Sequence, residues 1–212
     1  MQKYSISKTM HKTIYLVTDD AKMDFDTLYH KVEMALDGGV KLLQLREKKS
    51  SSREFYNNAL KMKYLCKKYD IPLIINDRVD IAQAVDADGV HLGQSDLPLT
   101  VARKILGPEK IIGISARTVE DAMLAEKNNA DYLGVGAVFP TSTKNDAKVI
   151  SEKVFHDIQA KVSIPIVTIG GITLNNASTL INRGVNCIAV VSAILNQDNP
   201  KEAAIYLNNL FK

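Results

Sequence analysis

The sequence predicts an α/β fold, specifically a (β/α)8 TIM barrel in one domain spanning residues 1–212. Short runs of aliphatic and β-branched residues alternate with stretches whose apolar residues recur at helical spacing. Strands that alternate with helices pair in parallel through right-handed crossovers. The alternation repeats eight times in 212 residues, which favours a compact closed barrel over an open doubly wound sheet, the alternative fold.

Each predicted strand is a short apolar run that ends at a polar or glycine-containing segment. The first run follows a polar lead, residues 1–12, and the second follows Gly38-Gly39, where a helix would stop. In chain order the predicted strands cover residues 14–18, 40–45, 73–77, 89–92, 111–114, 132–135, 166–169 and 187–191.

Each predicted helix follows a strand and has one apolar face. Phe55, Ala59 and Met62 share such a face in the second helix, and Pro72 closes the connection to the next strand. In chain order the predicted helices cover residues 28–36, 55–69, 81–85, 99–106, 119–127, 154–160, 175–182 and 202–210.

Composition and charge narrow the function classes. The chain is 46% hydrophobic and 24% charged, which is typical of a globular domain with a full core. Its net charge of +3 argues against nucleic acid or an anionic membrane surface but is compatible with a small anionic ligand. Cys66 and Cys187 form no C-x-x-C motif and are expected to be reduced core residues rather than metal ligands. With no signal-peptide-like start and no apolar stretch near the roughly 18 residues of a membrane span, we expect a cytoplasmic protein.

The stretch from Gly134 to Lys144 combines a small-residue strand with a polar, cationic loop. Hydroxyl groups of Thr141, Ser142 and Thr143 can donate to phosphate oxygens, and Lys144 adds a positive charge. A barrel strand that delivers a phosphate-binding loop has this character. The alternative is a solvated turn after a buried strand.

Polar side chains lie at the C-terminal end of the second strand, the end at which barrel enzymes have their active sites. Gln44, Arg46 and Lys48 have period-two spacing and therefore point to one side. Two cations and an amide would suit a diphosphate attached to a hydrogen-bonding ring. The alternative is a solvated basic strand end.

Two acidic residues follow the third and fourth strands. Asn76 and Asp77 end the third, and Asp96 lies in the loop after the fourth. Neighbouring strand ends lie close enough for two carboxylates to share a cation, and oxygen-only ligation indicates Mg²⁺. Alternatively, Asp77 and Asp96 each cap the helix that follows.

The remaining strand ends carry weaker signals. Ser115 follows the fifth strand and is either a ligand hydroxyl or a helix entry. Gly170-Gly171 and Val191-Ser192 follow the seventh and eighth strands, where barrels commonly bind phosphate on backbone N–H groups. The glycine pair is otherwise a plain turn. None of the four histidines is assigned a catalytic role, and His91 is interpreted as a core residue.

Taken together, these segments resemble the thiamine phosphate synthase family over about residues 14–211. The resemblance depends on six strings in order: Gln44-Leu-Arg-Glu-Lys48, Ile75-Asn-Asp77, Asp88-Gly-Val-His-Leu-Gly-Gln-Ser-Asp96, Gly113-Ile-Ser-Ala116, Gly134-Val-Gly-Ala-Val-Phe-Pro-Thr-Ser-Thr-Lys144 and Ile169-Gly-Gly-Ile172. Their combination is far more specific than any one of them.

The resemblance implies a transferase that joins 4-amino-2-methyl-5-hydroxymethylpyrimidine diphosphate to 4-methyl-5-(2-phosphoethyl)thiazole, or its carboxylate, giving thiamine phosphate and diphosphate. In the family, diphosphate leaves first, and the thiazole nitrogen captures the pyrimidine methylene cation. Related proteins are often trimeric, which implies a homo-oligomer.

The resemblance also implies roles for individual residues. The pyrimidine diphosphate matches Gln44, Leu45, Arg46, Glu47, Lys48, Asn76, Ser115 and Lys144, of which Arg46, Lys48, Ser115 and Lys144 are the catalytic candidates. The thiazole phosphate matches Thr141, Ser142, Thr143, Gly170, Gly171, Val191 and Ser192. Asp77 and Asp96 match the Mg²⁺ ligands.

Two rival functions stay open. A thiazole tautomerase of the same fold shares the thiazole-phosphate end but lacks the complete diphosphate and metal set, which this chain keeps in Asn76, Asp77, Asp96 and Lys144. A sensor on the same barrel would bind the phosphorylated ligands without catalysis. Product formation separates both from a synthase.

Overall fold

A computed structural model of the chain describes residues 5–19, 23–141 and 148–212. Eight parallel strands follow one another around a closed barrel, and the last pairs with the first through Thr13 opposite Cys187. This confirms the predicted TIM barrel and rules out the open sheet. The strands are β1 (Thr13–Val17), β2 (Leu42–Leu45), β3 (Leu73–Asn76), β4 (Gly89–Leu92), β5 (Ile111–Ala116), β6 (Tyr132–Val135), β7 (Ile166–Ile169) and β8 (Cys187–Val190).

Ten helices lie in the described part of the chain, whereas the sequence predicted eight. The helices are α1 (Ile6–Thr9), α2 (Phe25–Asp37), α3 (Ser52–Lys68), α4 (Val79–Ala84), α5 (Leu99–Leu106), α6 (Val119–Lys127), α7 (Glu152–Lys161), α8 (Ala177–Ile181), α9 (Ser192–Leu195) and α10 (Pro200–Asn209). The two additional helices, α1 and α9, have four residues each, too few for an apolar period to show. Within the described ranges, no helix has both the length and the apolar character needed to cross a bilayer.

Capping residues set where the helices around the barrel begin. Ser51 and Glu54 form a capping box at the start of α3, and Thr118 and Asp121 form another at the start of α6. Each box satisfies N–H groups that have no partner inside the helix. Both helices therefore start a few residues after the strand end, which leaves a short loop at the rim of the barrel.

Strand residues alternate between two apolar clusters. Leu43, Leu45 and Ile75 belong to the larger cluster, which the strands share with the surrounding helices. Leu42 and Ile74, the neighbouring positions, belong to a smaller cluster with Tyr132. Because successive strand side chains point to opposite faces, the smaller cluster fills the barrel interior.

The helix α1 closes one end of the barrel. Ile6 and Met10 are buried and belong to the interior cluster, beside strand-starting residues such as Ile111 and Cys187. The predicted polar lead, residues 1–12, thus contains two apolar anchors. They cover the end where strands begin, and the opposite end is left for the site.

Both cysteines are core residues, as the sequence predicted. Cys66 and Cys187 are buried free thiols on opposite sides of the barrel wall, in the outer and inner clusters. Burial raises the pKa of both thiols, which keeps them protonated.

Candidate active site

A cavity of about 330 Å³ opens at the end of the barrel where the strands terminate. Each of the eight strands, or the residue directly after it, contributes to its wall. This is the end at which TIM-barrel enzymes carry their catalytic residues.

The structure brings together predicted residues from both proposed halves of the site. Those that line the cavity are Gln44, Arg46, Asn76, Ser115, Thr141, Gly170, Gly171, Val191 and Ser192. Three further predicted residues, Ser142, Thr143 and Lys144, lie outside the described residues, so their roles stay predictions.

The Arg46 side chain is held at the cavity wall from β1. Thr18 Oγ1 accepts a hydrogen bond from the Arg46 N–H at 2.8 Å, which fixes the backbone there. Asp19 Oδ1 lies 3.3 Å from the Arg46 guanidinium. Asp19 is thus an orienting partner for a predicted phosphate-binding cation, a role that the sequence analysis did not assign to it.

Three charged side chains meet at the ends of β2, β3 and β4. Lys48 Nζ pairs with Asp77 Oδ2, and Asp96 Oδ2 accepts a hydrogen bond from the Gly93 N–H at 2.6 Å. Burial raises the pKa of Asp96, and the adjacent Asp77 carboxylate raises that pKa further. The Asp77 and Asp96 carboxylates therefore lie side by side, next to the Lys48 ammonium.

Neither carboxylate caps a helix, which removes the alternative interpretation of both. The N-cap of α4 is Arg78 and that of α5 is Pro98, each without a side-chain cap hydrogen bond. Asp77 has a φ of +61°, a left-handed conformation that is costly for a residue other than glycine. Its N–H donates to the His91 carbonyl at 2.9 Å, which ties this conformation to β4.

A chain of hydrogen bonds crosses the buried floor of the cavity. Gln44 Nε2 donates to Tyr15 Oη at 2.8 Å, and Tyr15 Oη lies 2.9 Å from Tyr132 Oη. Tyr132 Oη lies 2.9 Å from His91 Nδ1, and His91 Nε2 lies 2.9 Å from Ser115 Oγ. The chain connects two predicted ligand residues, Gln44 and Ser115.

Sequence reasoning missed the three central members of this chain. Tyr15, His91 and Tyr132 all line the cavity, and His91 was interpreted only as a core residue. Strand alternation could have found them, because the period-two argument applied to β2 also selects the inward positions of β1, β4 and β6.

Two glycines make room for the rings of the chain. A Cβ atom at Gly113 would lie 2.0 Å from Tyr132 Cζ, and one at Gly134 would lie 2.9 Å from His91 Cε1. Any larger residue at Gly113 would displace the tyrosine. The glycines in these two strings therefore shape the cavity floor.

Arg117 is a further cation that the sequence analysis did not select. It follows β5 and lines the cavity two residues after Ser115. Its position directly after a strand was the available signal.

In the described ranges, the opposite rim is formed by backbone and uncharged side chains. Gly170 and Gly171 have φ values of +103° and +66°. A Cβ at Gly171 would lie 2.4 Å from the Pro140 carbonyl oxygen, and the Phe139 N–H donates to the Gly170 carbonyl at 3.1 Å. The turn after β7 therefore packs directly on the segment that leads to Thr141.

Two predicted residues, Leu45 and Glu47, are buried away from the cavity wall. Leu45 belongs to the outer apolar cluster. Glu47 Oε1 accepts a hydrogen bond from Asn58 Nδ2 at 3.0 Å, which ties the segment after β2 to α3. Both residues support the segment that carries Arg46 and Lys48.

Comparison with known proteins gives the family. The family model described as thiamine monophosphate synthase matches residues 14–194. The thiamine-phosphate synthase of Ruminiclostridium cellulolyticum is 56% identical over 94% of this chain and 95% of that protein. The one from Methanobrevibacter smithii is 49% identical over 94% of this chain and 95% of that protein.

A solved structure agrees. Thiamine phosphate pyrophosphorylase from Pyrococcus furiosus superposes with a TM-score of 0.85 at 40% identity, covering 95% of this chain and 96% of that one. The cavity at the strand ends and these full-length similarities agree: the chain belongs to the thiamine monophosphate synthase family, whose members are transferases of thiamine synthesis.

Proposed function

We propose that this chain condenses 4-amino-2-methyl-5-hydroxymethylpyrimidine diphosphate with 4-methyl-5-(2-phosphoethyl)thiazole, or with its carboxylate, to give thiamine phosphate and diphosphate. The carboxylated substrate also releases CO₂. Family membership makes it a transferase with small-molecule substrates. One observation carries the finer assignment. The wall formed by Gln44, Arg46, Asn76 and Ser115 adjoins the paired carboxylates at the ends of β3 and β4.

The two parts of the pyrimidine substrate suit two parts of the site. Gln44 offers an amide at the cavity floor, where a flat aminopyrimidine can be oriented, and Ser115 offers a hydroxyl to the adjoining diphosphate oxygen. Arg46 and Lys48 follow on the rim, where their charges suit the diphosphate.

The paired carboxylates fit Mg²⁺. Mg²⁺ is usually bound by one or two carboxylates together with substrate phosphates and water. Asp77 and Asp96 would hold it, and Lys48 already places a positive charge against Asp77. When bound, the ion neutralises charge on the phosphates.

The reaction breaks the bond between the pyrimidine methylene carbon and the bridging oxygen, and the electron pair leaves with the diphosphate. The thiazole nitrogen then supplies the pair that forms the new carbon–nitrogen bond. This substitution depends on preorganised positive charge at the leaving group more than on a general base. In our assignment Arg46, Lys48 and Lys144 supply that charge, and Ser115 donates to the same anion.

The thiazole phosphate is assigned to the rim formed by β6 to β8. Thr141, Ser142 and Thr143 would donate hydroxyl hydrogen bonds, and the turn at Gly170-Gly171 allows backbone N–H groups to approach the phosphate closely. Val191 and Ser192 complete this side. The thiazole nitrogen would then face the methylene carbon across the cavity.

The test mixes both phosphorylated substrates and Mg²⁺ with the full-length protein and follows thiamine phosphate by mass spectrometry. We expect product only when all three are present. Each substrate alone and a chelated sample are the controls. A tautomerase would isomerise the carboxylated thiazole without consuming the pyrimidine diphosphate, and a sensor would bind both ligands without product. Either result overturns the proposal.

Several finer expectations from the sequence stay predictions: a homo-oligomer, a cytoplasmic location, and the absence of nucleic-acid and membrane partners. Oligomeric state can be measured on the purified protein by light scattering.

A further inference from the structure

The hydrogen-bond chain beneath the cavity has a fixed order of donors and acceptors, which plays no part in the proposed function. Its members are Gln44, Tyr15, Tyr132, His91 and Ser115, joined by four contacts of 2.8–2.9 Å. Both tyrosines are essentially buried. Burial raises the pKa of each tyrosine, so each keeps its one hydroxyl hydrogen and can donate once.

The amide at one end sets the order of donors. Gln44 Nε2 can only donate, so Tyr15 Oη accepts there and passes its own hydrogen to Tyr132. Tyr132 then donates to His91 Nδ1, and a neutral imidazole that accepts at Nδ1 carries its hydrogen on Nε2. His91 Nε2–H therefore donates to Ser115 Oγ, whose own hydrogen remains for the cavity.

Rotating the Gln44 amide by 180° would reverse the donor and acceptor in every bond of the chain. If Gln44 presented Oε1 to Tyr15, each hydroxyl would donate in the opposite direction and Ser115 would donate to His91. The groups that Gln44 and Ser115 offer to a ligand therefore change together. With Gln44 Nε2 facing Tyr15, Gln44 keeps a carbonyl acceptor for a ligand while Ser115 keeps a hydroxyl donor.

We propose that Tyr15 and Tyr132 are positioning residues, which fix the Gln44 amide and the Ser115 hydroxyl in one combined orientation. This inference rests on the proposed function for the identity of the ligand. The fixed pair is complementary to a ligand that has an N–H donor on a ring and an anionic oxygen beside it. An aminopyrimidine diphosphate has both groups.

The surrounding packing fixes the positions of the rings. Gly113 and Gly134 leave the space that Tyr132 and His91 occupy, since a Cβ at either position would lie within 2.9 Å of a ring atom. The rings of Tyr15 and Tyr132 meet edge to face with centroids 6.0 Å apart. Removing one hydroxyl would leave this packing in place while breaking the chain.

The test variant is Tyr132→Phe in the full-length protein. Without ligand, ¹⁵N NMR of the histidine rings reports the tautomer, with the His91 signal assigned by its loss in His91→Asn. We expect the Nε2–H form in the unaltered protein and a mixture of tautomers in Tyr132→Phe. An Nδ1–H form in the unaltered protein, or an unchanged tautomer in the variant, would overturn the inference.

Kinetics supply the second measurement. Tyr132→Phe should lower kcat/KM for the pyrimidine diphosphate about 10- to 100-fold, the size expected when buried hydrogen-bond partners are left unpaired. The KM for the thiazole phosphate should change by less than about twofold, since that ligand is assigned to the opposite rim. Ser115→Ala should cost much less in the Tyr132→Phe background than alone, because the two changes break one unit.

Tyr69→Phe is the matched control, since it removes a hydroxyl that donates to Asp37 Oδ1 at 2.7 Å outside the cavity. It should leave kinetics and the His91 tautomer unchanged. Fully additive effects of Ser115→Ala and Tyr132→Phe would contradict the coupling. If the proposed function is wrong, no variant forms product. The His91 tautomer still shows whether the donors and acceptors have the inferred order, so failure of the proposed function can be distinguished from failure of this inference.

Discussion

The two rims of the cavity are built differently. One rim carries Arg46 after β2 and adjoins a cluster of Lys48, Asp77 and Asp96 at the ends of β2 to β4, which holds an ion pair and a carboxylate pair. In the described part of the chain, the cavity-lining residues from β6 to β8 are uncharged, and they include the turn at Gly170-Gly171.

In our proposal, the difference gives two ways to bind a phosphate. The charged side chains of the first rim would bind a highly charged diphosphate together with a cation, and the pKa of Asp96 is raised there. A glycine turn instead offers backbone dipoles, which need no counter-charge and suit a single phosphate.

The largest effect is expected at the carboxylate pair. Asp77→Asn and Asp96→Asn should each lower kcat by about 100-fold or more, because the cation on the diphosphate is lost. The double variant should lose little beyond either single change. Turnover against Mg²⁺ concentration measures this, with Asp80→Asn as control, since Asp80 pairs only with Arg78 among its described ion-pair partners. Full activity at unchanged Mg²⁺ dependence in both single variants would remove the metal assignment.

Lys144→Ala should lower kcat about 100- to 1,000-fold, about 3 to 4 kcal/mol in the barrier, while thiazole-phosphate binding stays nearly intact. The reason is the assignment of its ammonium to the departing diphosphate. Kinetics and a thiazole-phosphate titration measure the two effects. The control is Lys148→Ala, an exposed cation nearby in sequence. Normal turnover with a raised Kd for the thiazole phosphate would move the lysine to the other phosphate.

Gly171 tests the opposite rim. Gly171→Ala should weaken the thiazole phosphate about tenfold, since a Cβ 2.4 Å from the Pro140 carbonyl oxygen must displace the segment that leads to Thr141. Pyrimidine diphosphate affinity should be unchanged. Gly184→Ala is the matched control, because Gly184 also has a positive φ of +84° but has open space around it. Equal weakening of both ligands by Gly171→Ala, together with a lower Tm, would favour a purely structural turn.

The smallest effect concerns stability. Because the folded pKa of Asp96 is raised, the folded state loses stability as pH rises from the ordinary value of 3.8 through that raised pKa. Asp96→Asn should therefore raise Tm slightly at neutral pH without Mg²⁺, and the gain should vanish below about pH 3.8.

Asp86→Asn should change Tm in the opposite direction. The ammonium groups of Lys110 and Lys63 lower the pKa of Asp86, so its contribution to stability is present at neutral pH and is lost in acid. This variant should lower Tm slightly at neutral pH. Thermal melts of both variants across pH test the two signs. A lower Tm for Asp96→Asn at neutral pH would contradict the repulsion between Asp96 and Asp77.

The sequence determined the order of strands and helices because periodicity is a local property of the chain. The predicted bounds of α5, α6, β4 and β7 coincide with those observed. Gln44, Arg46, Asn76 and Ser115 could be selected because strand ends in a barrel converge on one cavity. The short helix α1 could not be predicted from the sequence, since Ile6 and Met10 gain their packing partners only from the barrel interior.

Only the tertiary structure decided what the carboxylates and the buried rings do. Asp77 does not cap α4, whose N-cap is Arg78, and its N–H instead donates to the His91 carbonyl in β4. The chain from Gln44 to Ser115 joins Tyr15 and Tyr132, which lie 117 residues apart in sequence. A hydrogen bond exists only where two groups meet in space with the right geometry, and barrel closure alone creates that meeting.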